Sequence, residues 1–447
     1  MDQIMSGKER AINMNKKMHL GWFTEYSPVG WDYSSAATGD WRKPDMFQEM
    51  AQICEKGMFD FALYADQLGI NSSFNGSIDN YVKYGLNGTM HDSTMLAAMV
   101  AAATKHLGVG TTVSTTLTPP YLLARQLASL DHLTSGRVIW NVVTSGNSSS
   151  FLNFGIDMPD HDERYEQADE FLELCFKLWS SWEADSLIMD KETGVFADPN
   201  KVKPINFEGK YYKSQGPLNV VPLPQGRPTL IQAGQSPRGR DFAAKWADAV
   251  IVDAHYLEDM KAYYDDIKKR VVKFGRKPED LKVFFIIKPV IGQTEELVNA
   301  SLEALNNPPN STIHATLSYL SANMDYDLSK FDLDEPVPHI DEKEIKGGQT
   351  TLSRFYTSGR RPTLREIAIK EAAGNKGSII GTPEQVASQM QHIMESVGGD
   401  GFVIRVNAHE RQYMQEFVET VIPVLQERDL VRKEYTGKTL RENLMEF

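Results

Sequence analysis

Cysteine is scarce in this chain, which excludes a disulfide framework. Only Cys54 and Cys175 occur among 447 residues, and both lie in amphipathic stretches with apolar neighbours. Cysteine behaves as a small hydrophobic residue, so we expect two buried free thiols. Without disulfides nothing indicates an oxidising compartment, and we predict a cytoplasmic protein.

Long apolar runs and an excess of positive charge are lacking as well. No uninterrupted apolar run is long enough to span a bilayer, and the first 20 residues have no apolar segment typical of a signal peptide. Acidic residues outnumber basic ones by 60 to 47, which gives a net charge of −13. An acidic surface argues against nucleic acid or an anionic membrane as a partner. The composition is that of an ordinary globular enzyme.

A glycine-rich phosphate-binding turn is missing where a nicotinamide-binding fold would need it. The first predicted strand runs directly into Phe23–Ser27, which has no such glycine pattern. A doubly wound sheet with the nicotinamide fingerprint is therefore disfavoured. We predict no metal site in the chain.

Strand-like and helix-like segments alternate almost throughout the chain. The predicted strands are Met18–Thr24, Phe59–Ala65, Leu107–Thr116, Arg137–Val143, Pro228–Gln232, Ala249–Asp253, Leu281–Ile287 and Gly401–Val406. Short, nearly unbroken apolar strands are typical of a sheet buried on both faces. Eight strands, each followed by a helix, predict an α/β protein with a parallel (β/α)8 TIM barrel. We expect one domain over residues 1–447, with a core at about 18–430 and a polar surface tail over 431–447.

Two excursions in the predicted barrel are too long to be ordinary connections. They lie after strands four and seven, at residues 183–227 and 306–376. We interpret them as insertions that shape the active-site mouth or an oligomer contact. A third segment, rich in Gly, Asn and Ser, forms a predicted loop over residues 69–91.

Polar residues collect at the predicted carboxyl ends of the strands, where barrel enzymes place their chemistry. The set comprises Asp66, Thr112, Ser114, Asn141, Thr144, Ser145, Gln232, Gly234 and Ser236. Buried polar groups need partners, so the whole set favours a polar ligand. For any single member, capping of the strand end is an equally good explanation.

The segment Gln232–Gly239 combines a strand end, a glycine turn and a helix start. Gly234 allows the backbone to approach a ligand closely. Ser236 and the free N–H groups of the helix start can hold an anion, helped by the helix dipole. The alternative is that Ser236 only caps the helix, and both roles are compatible.

Several short motifs of the chain together resemble those of one protein family, and this resemblance implies a cofactor. Asn141–Ser145 (NVVTS) resembles the strand-four signature of the nitrilotriacetate/dibenzothiophene-sulfone monooxygenase family, which belongs to the bacterial-luciferase-like flavin-dependent monooxygenases. Phe61–Gly69 (FALYADQLG), His161–Tyr165 (HDERY) and Gly226–Arg240 (GRPTLIQAGQSPRGR) look like the same family. With these motifs the similarity extends from about Met18 to Leu444.

The resemblance implies a luciferase-like barrel and an oxygenase component of a two-component system. Such enzymes receive reduced FMN from a separate NAD(P)H-dependent flavin reductase and react it with oxygen. The resemblance also implies a homodimer or homotetramer. The expected reaction is the oxygenation of a small organic substrate, with C–N or C–S cleavage where the hydroxylated carbon collapses.

The same resemblance implies which residues contact FMN. They are Asp66, Thr112, Ser145, His161, Tyr165 and Ser236. Tyr165 and Ser236 would hold the phosphate, and Asp66 and Ser145 would lie nearer the ring system. Arg164 and Arg238 could add positive charge, but we expect them to pair with nearby acids such as Glu163 and Asp241.

Proton transfer and substrate binding are less defined by the sequence. The candidates for handling a proton near the reacting oxygen are Glu25, Tyr26 and His91. A cationic rim of Lys288, Arg405 and His409 would favour an anionic substrate, unless these residues are solvated or salt-bridged. Trp22, Trp31 and Trp41 either wall the pocket or pack in the core.

Two rival functions stay open at this point. The first is a deazaflavin-dependent oxidoreductase that transfers hydride on the same fold. The second is a non-catalytic flavin-binding protein. The FMN-type motifs favour the monooxygenase over the first rival, and the retained cofactor residues favour it over the second.

Overall fold

The barrel strands form as predicted. The computed structural model describes residues 16–28, 40–86, 89–254, 256–345, 360–373, 379–406 and 410–447. Within these residues eight parallel strands close into a barrel, in chain order around the ring, with the eighth strand paired to the first. The strands are β1 His19–Glu25, β2 Phe61–Ala65, β3 Gly108–Ser114, β4 Val138–Val143, β5 Thr229–Gln232, β6 Ala249–Val252, β7 Lys282–Ile287 and β8 Gly401–Arg405. The predicted (β/α)8 fold is confirmed.

Helices surround this barrel and also occupy the insertions. They are α1 Asp45–Lys56, α2 Asp79–Tyr84, α3 Ser93–Ala101, α4 Pro120–Leu133, α5 Ser148–Asn153, α6 His161–Trp179, α7 Pro237–Trp246, α8 Leu257–Lys273, α9 Glu295–Asn306, α10 Asn310–Met324, α11 Leu364–Ala373, α12 Pro383–Val397, α13 Arg411–Glu416, α14 Ile422–Glu427 and α15 Leu440–Leu444. A π-helical turn, Phe417–Val421, joins α13 to α14 just before Pro423, which has no N–H for a regular helical hydrogen bond. No described helix is long and apolar enough to cross a membrane.

Two apolar layers result from the alternation of side chains along the strands. One layer fills the barrel interior and includes Phe61, Ile139 and Phe284. The other lies between the strands and the outer helices and includes Trp22 and Trp140. Both cysteines are free and buried in this outer layer, as expected. Burial on both faces explains why the strands are nearly continuous in apolar residues.

The insertion after strand four folds into two small antiparallel hairpins. Leu187–Asp190 pairs with Val195–Ala197, and Phe207–Glu208 pairs with Lys213–Ser214. The Tyr212 hydroxyl donates to the Thr115 carbonyl at 3.1 Å, just past the end of β3. The insertion therefore reaches the carboxyl end of the barrel at this point.

The insertion after strand seven has a core of its own and contacts the loop after β2. Ile313, Leu317 and Leu328 pack in a separate apolar cluster with side chains near α11. We call the described residues 70–86 and 306–345 the cap. The two cap segments are joined by hydrogen bonds, including Asn80 to Ser318 at 2.9 Å and the Asn75 backbone N–H to Asp327 at 2.9 Å.

The structure of the cap corrects the prediction that residues 69–91 form a loop, and it adds helices to the insertion over residues 306–376. Residues 69–91 contain the short helix α2, and residues 306–376 contain α10 and α11. These helices carry little periodic apolar signal of their own. They form because the two segments bury side chains against each other.

The C-terminal tail closes the amino-terminal end of the barrel, so the prediction that it packs on the surface is wrong. Leu440 and Leu444 are 1% and 0% exposed and belong to the barrel's interior cluster. The Phe447 ring stacks on His19 with 4.3 Å between ring centroids. The tail looked like a surface segment because only a few of its side chains are apolar, but those side chains fill the barrel end.

A buried ion network fastens the tail to the barrel. Asp248 lies between Arg227 and Arg441, each at 2.7 Å. Burial by itself raises the pKa of Asp248, but Arg441 and Arg227 outweigh it and lower the value to about 2. The carboxylate is therefore ionised at neutral pH and holds the start of α15.

Candidate active site

The inner faces of β3 and β4 carry polar side chains at their carboxyl ends. Thr112 and Asn141 are paired in register, and the Asn141 amide donates to the Thr112 hydroxyl at 3.0 Å. The Thr112 hydroxyl donates to the Tyr64 carbonyl at 2.8 Å. The Oδ1 atom of Asn141 is buried and has no hydrogen-bond partner among the described residues. A buried acceptor of this kind costs free energy unless a ligand or water provides a donor.

Ser145 follows β4 and extends this polar edge. Its φ of +53° lies in the left-handed region that residues with a side chain rarely adopt. Its hydroxyl donates to the Ser114 hydroxyl at 2.9 Å. Strained backbone of this kind is concentrated at binding sites, where the surrounding structure holds it in place. Ser114 and Ser145 thus place two hydroxyls beside Asn141.

Asp66 lies at the end of β2 and is partly buried. Its carboxylate accepts the backbone N–H of Ser93 at 2.9 Å, at the first residue of α3. Burial raises the pKa of Asp66, and the hydrogen bonds from Ser93 offset part of that rise. The contact gives Asp66 a structural role at the helix start and fixes its carboxylate at the barrel mouth.

The start of α7 brings together three of the residues implied by the resemblance. The Ser236 hydroxyl accepts the backbone N–H of Gly239 at 3.0 Å, as a helix cap does. His161 Nε2 lies 3.4 Å from the same hydroxyl. A side chain at Gly239 would place its Cβ 2.7 Å from the Tyr165 hydroxyl. His161, Tyr165, Ser236 and Gly239 are called the anion site below.

Tyr165 is buried at this site, and its hydroxyl accepts from the Gln232 amide at 3.4 Å. Burial raises the pKa of Tyr165, and hydrogen bonds with Gln232 and Ser236 offset only part of the rise. The phenol therefore stays protonated at neutral pH and can donate to an anion. The Oε1 atom of Gln232 is buried without a partner among the described residues.

The arginines near the anion site are paired, although not with the acids that we expected. Arg238 pairs with Asp169 at 2.5 Å, rather than with Asp241. Arg164 donates to the carbonyl of Pro159 at 2.7 Å, rather than to Glu163. Packing of α6 against α7 decides the partner of Arg238, whereas Arg164 bonds to a carbonyl just before its own helix.

The anion site has the chemistry that a flavin phosphate requires. Neutral hydroxyl donors and helix-start N–H groups bind phosphate without a dedicated arginine, because the helix dipole is positive at its start. Gly239 leaves room that a Cβ would fill. The unpartnered oxygens of Asn141 and Gln232 can accept from a polar ring system or from ordered water. Among the described residues, no group of three His, Cys, Asp or Glu side chains is placed to hold a metal ion.

Glu25 is the one proton-transfer candidate whose side chain points into the barrel mouth. It is 7% exposed and lies 3.4 Å from the Arg405 guanidinium. Burial raises the pKa of Glu25, and Arg405 and Ser27 offset part of the rise. Glu25 therefore contributes to an ion pair at the ends of β1 and β8.

Tyr26 and His91 pack together at a different place from Glu25. Tyr26 directly follows β1 and packs against the outer apolar layer, away from the barrel interior. Its ring centroid lies 4.8 Å from that of His91, and its hydroxyl donates to the Arg42 carbonyl at 3.1 Å. Trp41 contacts His91 with 5.1 Å between ring centroids. These contacts support a packing role for Tyr26.

The two described members of the predicted cationic rim each lie beside a glutamate, Lys288 at short distance and Arg405 at a longer one. Lys288 pairs with Glu410 at 2.7 Å, and Arg405 faces Glu25. His409 lies outside the described residues, as does Trp31. Trp22 is fully buried in the outer layer, so it packs in the core and does not wall the pocket.

Three residues at the mouth were missed by the sequence reasoning. Tyr319 and Asp253 both lie close enough to act on the charge of the Arg405 guanidinium. Tyr81 donates to the Ser318 carbonyl at 3.3 Å, within the cap. Asp253 ends strand six and could have been found by the rule that selected Asp66. The two tyrosines lie in the cap, where the sequence offers no such rule.

Known proteins resemble this chain over nearly its whole length. The model of the luciferase-like monooxygenase family matches residues 18–401. The dibenzothiophene-sulfone monooxygenase of Rhodococcus erythropolis (strain XP) is 39% identical over 448 residues, 97% of each chain. Nitrilotriacetate monooxygenase component A of Aminobacter aminovorans is 37% identical, again over 97% of each chain. The similarity therefore includes both insertions.

A solved structure extends the comparison to a flavin-bound protein. The crystal structure of a riboflavin lyase with modified FMN and riboflavin has a TM-score of 0.83 and 32% identity to this chain. The match covers 97% of this chain and 96% of the lyase. Barrel and insertions thus share one architecture with a protein whose structure contains a flavin.

Proposed function

Since this chain belongs to the luciferase-like monooxygenase family, whose members use reduced flavin, we propose that it is the oxygenase component of a two-component system. It binds reduced FMN at the carboxyl end of the barrel and inserts one atom of O2 into a small organic substrate. The observation that carries this proposal is the anion site at the start of α7, where three residues implied by the resemblance lie within contact of one another.

The phosphate of FMN would be held by Tyr165, Ser236 and the first N–H groups of α7. The ring system would lie toward Asp66, Thr112 and Ser145, beside the unpartnered Asn141 oxygen. When bound, the reduced flavin supplies the electrons that activate oxygen. The work of the chain is to hold the flavin, orient the substrate and exclude water.

Water exclusion is the role that we assign to the cap. Its two segments are tied by hydrogen bonds from Asn80 and Tyr81 to Ser318. Tyr319 extends from the cap to Arg405 at the end of β8. These contacts support a cap that covers the mouth of the barrel.

The partner would be an NAD(P)H-dependent flavin reductase. One relative is named component A of a nitrilotriacetate monooxygenase, a name that fits a system with a separate second component. The named substrates of the relatives include an aminopolycarboxylate and an aromatic sulfone. Oxygenation next to nitrogen or sulfur, followed by C–N or C–S cleavage, is the reaction class that we propose.

The chain is further proposed to be a single domain that assembles as a homodimer or homotetramer. Symmetric homo-oligomers are the common case among soluble enzymes. Light scattering of the purified protein tests this proposal directly. A monomer at all concentrations would refute it.

The rate at which bound reduced FMN reacts with oxygen distinguishes the proposed monooxygenase from the hydride-transfer and non-catalytic functions. Protein and reduced FMN are mixed without oxygen and then with oxygenated buffer, and flavin absorbance is followed in a stopped-flow instrument. We expect reoxidation to be slower than for free FMN and to occur in more than one phase. Isotopically labelled O2 should leave one labelled atom in the product.

Two results would overturn the proposal. Reoxidation at the rate of free FMN despite demonstrated binding would favour the hydride-transfer or non-catalytic function. Absence of FMN binding would show that the anion site has been assigned wrongly.

A further inference from the structure

Arg405 is a half-buried charged side chain at the carboxyl end of β8. Its strand neighbour Val403 points into the barrel interior, and residues two apart share a face, so Arg405 points inward as well. Its side chain is 42% exposed, whereas that of Glu25 is 6% exposed. Part of the Arg405 side chain is therefore accessible to a molecule that occupies the barrel mouth.

Comparison with another arginine of this chain shows that Arg405 is not simply half of a structural ion pair. Arg432 pairs with Asp60 at 2.6 Å, and its side chain is 3% exposed. Arg405 and Glu25 are 3.4 Å apart at their closest atoms, longer than the 2.7–2.9 Å of a strong charge-assisted hydrogen bond. The guanidinium thus keeps much of its capacity to bind another anion.

Neighbouring side chains hold this guanidinium in a fixed place. The Phe23 ring lies 5.5 Å from its central carbon, a cation–π distance. Glu25 supports it from β1, and Tyr319 of the cap lies close enough to act on its charge. Burial lowers the pKa of Arg405, but Tyr319, Glu25 and Asp253 outweigh this effect and raise it. The group is charged at every working pH.

The position of Arg405 separates it from the anion site. The anion site lies beyond the end of β5, and two further strands, β6 and β7, stand between β5 and β8 in the barrel. The flavin phosphate and an anion at Arg405 would therefore occupy different parts of the mouth. An arginine guanidinium can bind a planar carboxylate with two parallel hydrogen bonds.

We propose that Arg405 is a specificity-determining residue that binds a carboxylate of the substrate, with Glu25 as its positioning residue and Tyr319 closing the site from the cap. This proposal rests on the proposed function, because it assumes that the substrate enters the mouth beside the flavin. It narrows the substrate class to small carboxylic acids with a nitrogen or sulfur atom to be oxygenated.

Binding of matched acids and amides tests the proposal without requiring turnover. The probes are thiodiacetate, iminodiacetate and 3-phenylpropionate, each compared with its neutral amide. Their dissociation constants are measured by calorimetry with the full-length protein, with and without oxidised FMN. We expect the wild-type protein to prefer at least one acid over its amide by about 10- to 100-fold, the range for a hydrogen-bonded charged group.

Variants then assign the preference to Arg405. R405Q should remove the preference for the acid and leave amide affinity unchanged, while R405K should retain part of it. E25Q should weaken acid binding less than R405Q does, because it removes only the carboxylate that positions Arg405. The double variant E25Q/R405Q avoids a buried unpaired carboxylate, so it should lose the preference even if R405Q folds poorly.

K288Q is the matched control, because Lys288 directly follows the neighbouring strand β7. Lys288 carries the same charge at the rim but is paired with Glu410 at 2.7 Å. The acid preference should survive this change. An equal loss in K288Q and R405Q would show a general effect of rim charge and would overturn the proposed contact.

The remaining outcomes separate this proposal from the proposed function. If the wild-type protein shows no preference for any of the acids, the carboxylate proposal is wrong even where FMN binds. A loss of FMN affinity in R405Q, with acid binding unchanged, would make Arg405 a flavin contact and also overturn it. If the acids bind through Arg405 but FMN does not bind at all, the proposed function fails and the carboxylate site stands.

Discussion

Replacing Ser236 by aspartate separates the folding role of this residue from its binding role. The Ser236 hydroxyl caps α7 by accepting the Gly239 N–H at 3.0 Å. Aspartate is as good a helix cap as serine, so the helix and the fold should be preserved. The new carboxylate, however, would occupy the place where we expect the flavin phosphate.

The size of the effect follows from the distance between the two charges. A carboxylate in contact with a phosphate oxygen places charge centres at about 4 Å, where two unit charges repel by about 4 kcal/mol at an effective dielectric constant of about 20. A factor of ten in affinity corresponds to about 1.4 kcal/mol. S236D should therefore weaken FMN binding about 1000-fold.

S236A provides the intermediate case. Alanine removes the cap, at a cost of about 1 kcal/mol in stability, and removes one hydrogen bond to a charged phosphate. Such a bond contributes about 1.5–3 kcal/mol, so FMN affinity should fall about 10- to 100-fold. S236D should thus be the more stable of the two variants and the weaker binder.

Fluorescence quenching of FMN on binding, together with thermal unfolding, measures both quantities. T294D is the matched control, because Thr294 caps α9 through the Leu297 N–H at 3.4 Å and lies outside the anion site. It should leave FMN affinity unchanged. Wild-type affinity in S236D, in a protein of wild-type stability, would refute the phosphate assignment.

Three further predictions concern the anion site, the buried ion network and the barrel end. G239A should weaken FMN binding, because its Cβ would lie 2.7 Å from the Tyr165 hydroxyl, whereas G146A, with no described atom within 4 Å of its Cβ, should bind normally in the same titration. The lowering of the Asp248 pKa from 3.8 to about 2 contributes about 2 kcal/mol of stability above pH 4, and this contribution is lost as the pH falls toward 2. The difference in unfolding free energy between wild type and D248N should therefore shrink between about pH 4 and about pH 2. A difference that stays constant over this range would contradict the assignment. L444A should lower the free energy of unfolding by about 2–5 kcal/mol, as for other buried leucines, and a loss below about 1 kcal/mol in urea titrations would argue against its role in closing the barrel.

The barrel and the anion site could be predicted because their signals are local. A strand buried on both faces must be apolar along its length. The start of a helix is indicated by a capping residue followed by proline, as at Ser236 and Pro237. The resemblance added FMN as the expected cofactor, because the residues expected to hold it lie within short motifs. Tyr165 and Ser236 were selected from the sequence, and both lie beside Gly239 in the structure; their contact with FMN stays a prediction.

Other predictions failed or changed where distant segments meet. The proton-transfer roles of Tyr26 and His91 stay predictions, but nothing in the sequence indicated that their two rings pack together. The partner of Arg238 is Asp169, which lies on α6 and is far away in sequence. Pairing across helices depends on how they pack, and no pattern in one segment specifies it.

The sequence by itself determined the eight strands, their order and the residues at the anion site, because periodicity and short motifs act over a few residues. Only the tertiary structure decided that the tail fills the barrel end and that two insertions combine into one cap. It also placed Glu25 and Tyr319 against Arg405, residues separated by 380 and 86 positions in the chain. Such contacts depend on the closure of the barrel, which brings the first and last strands side by side.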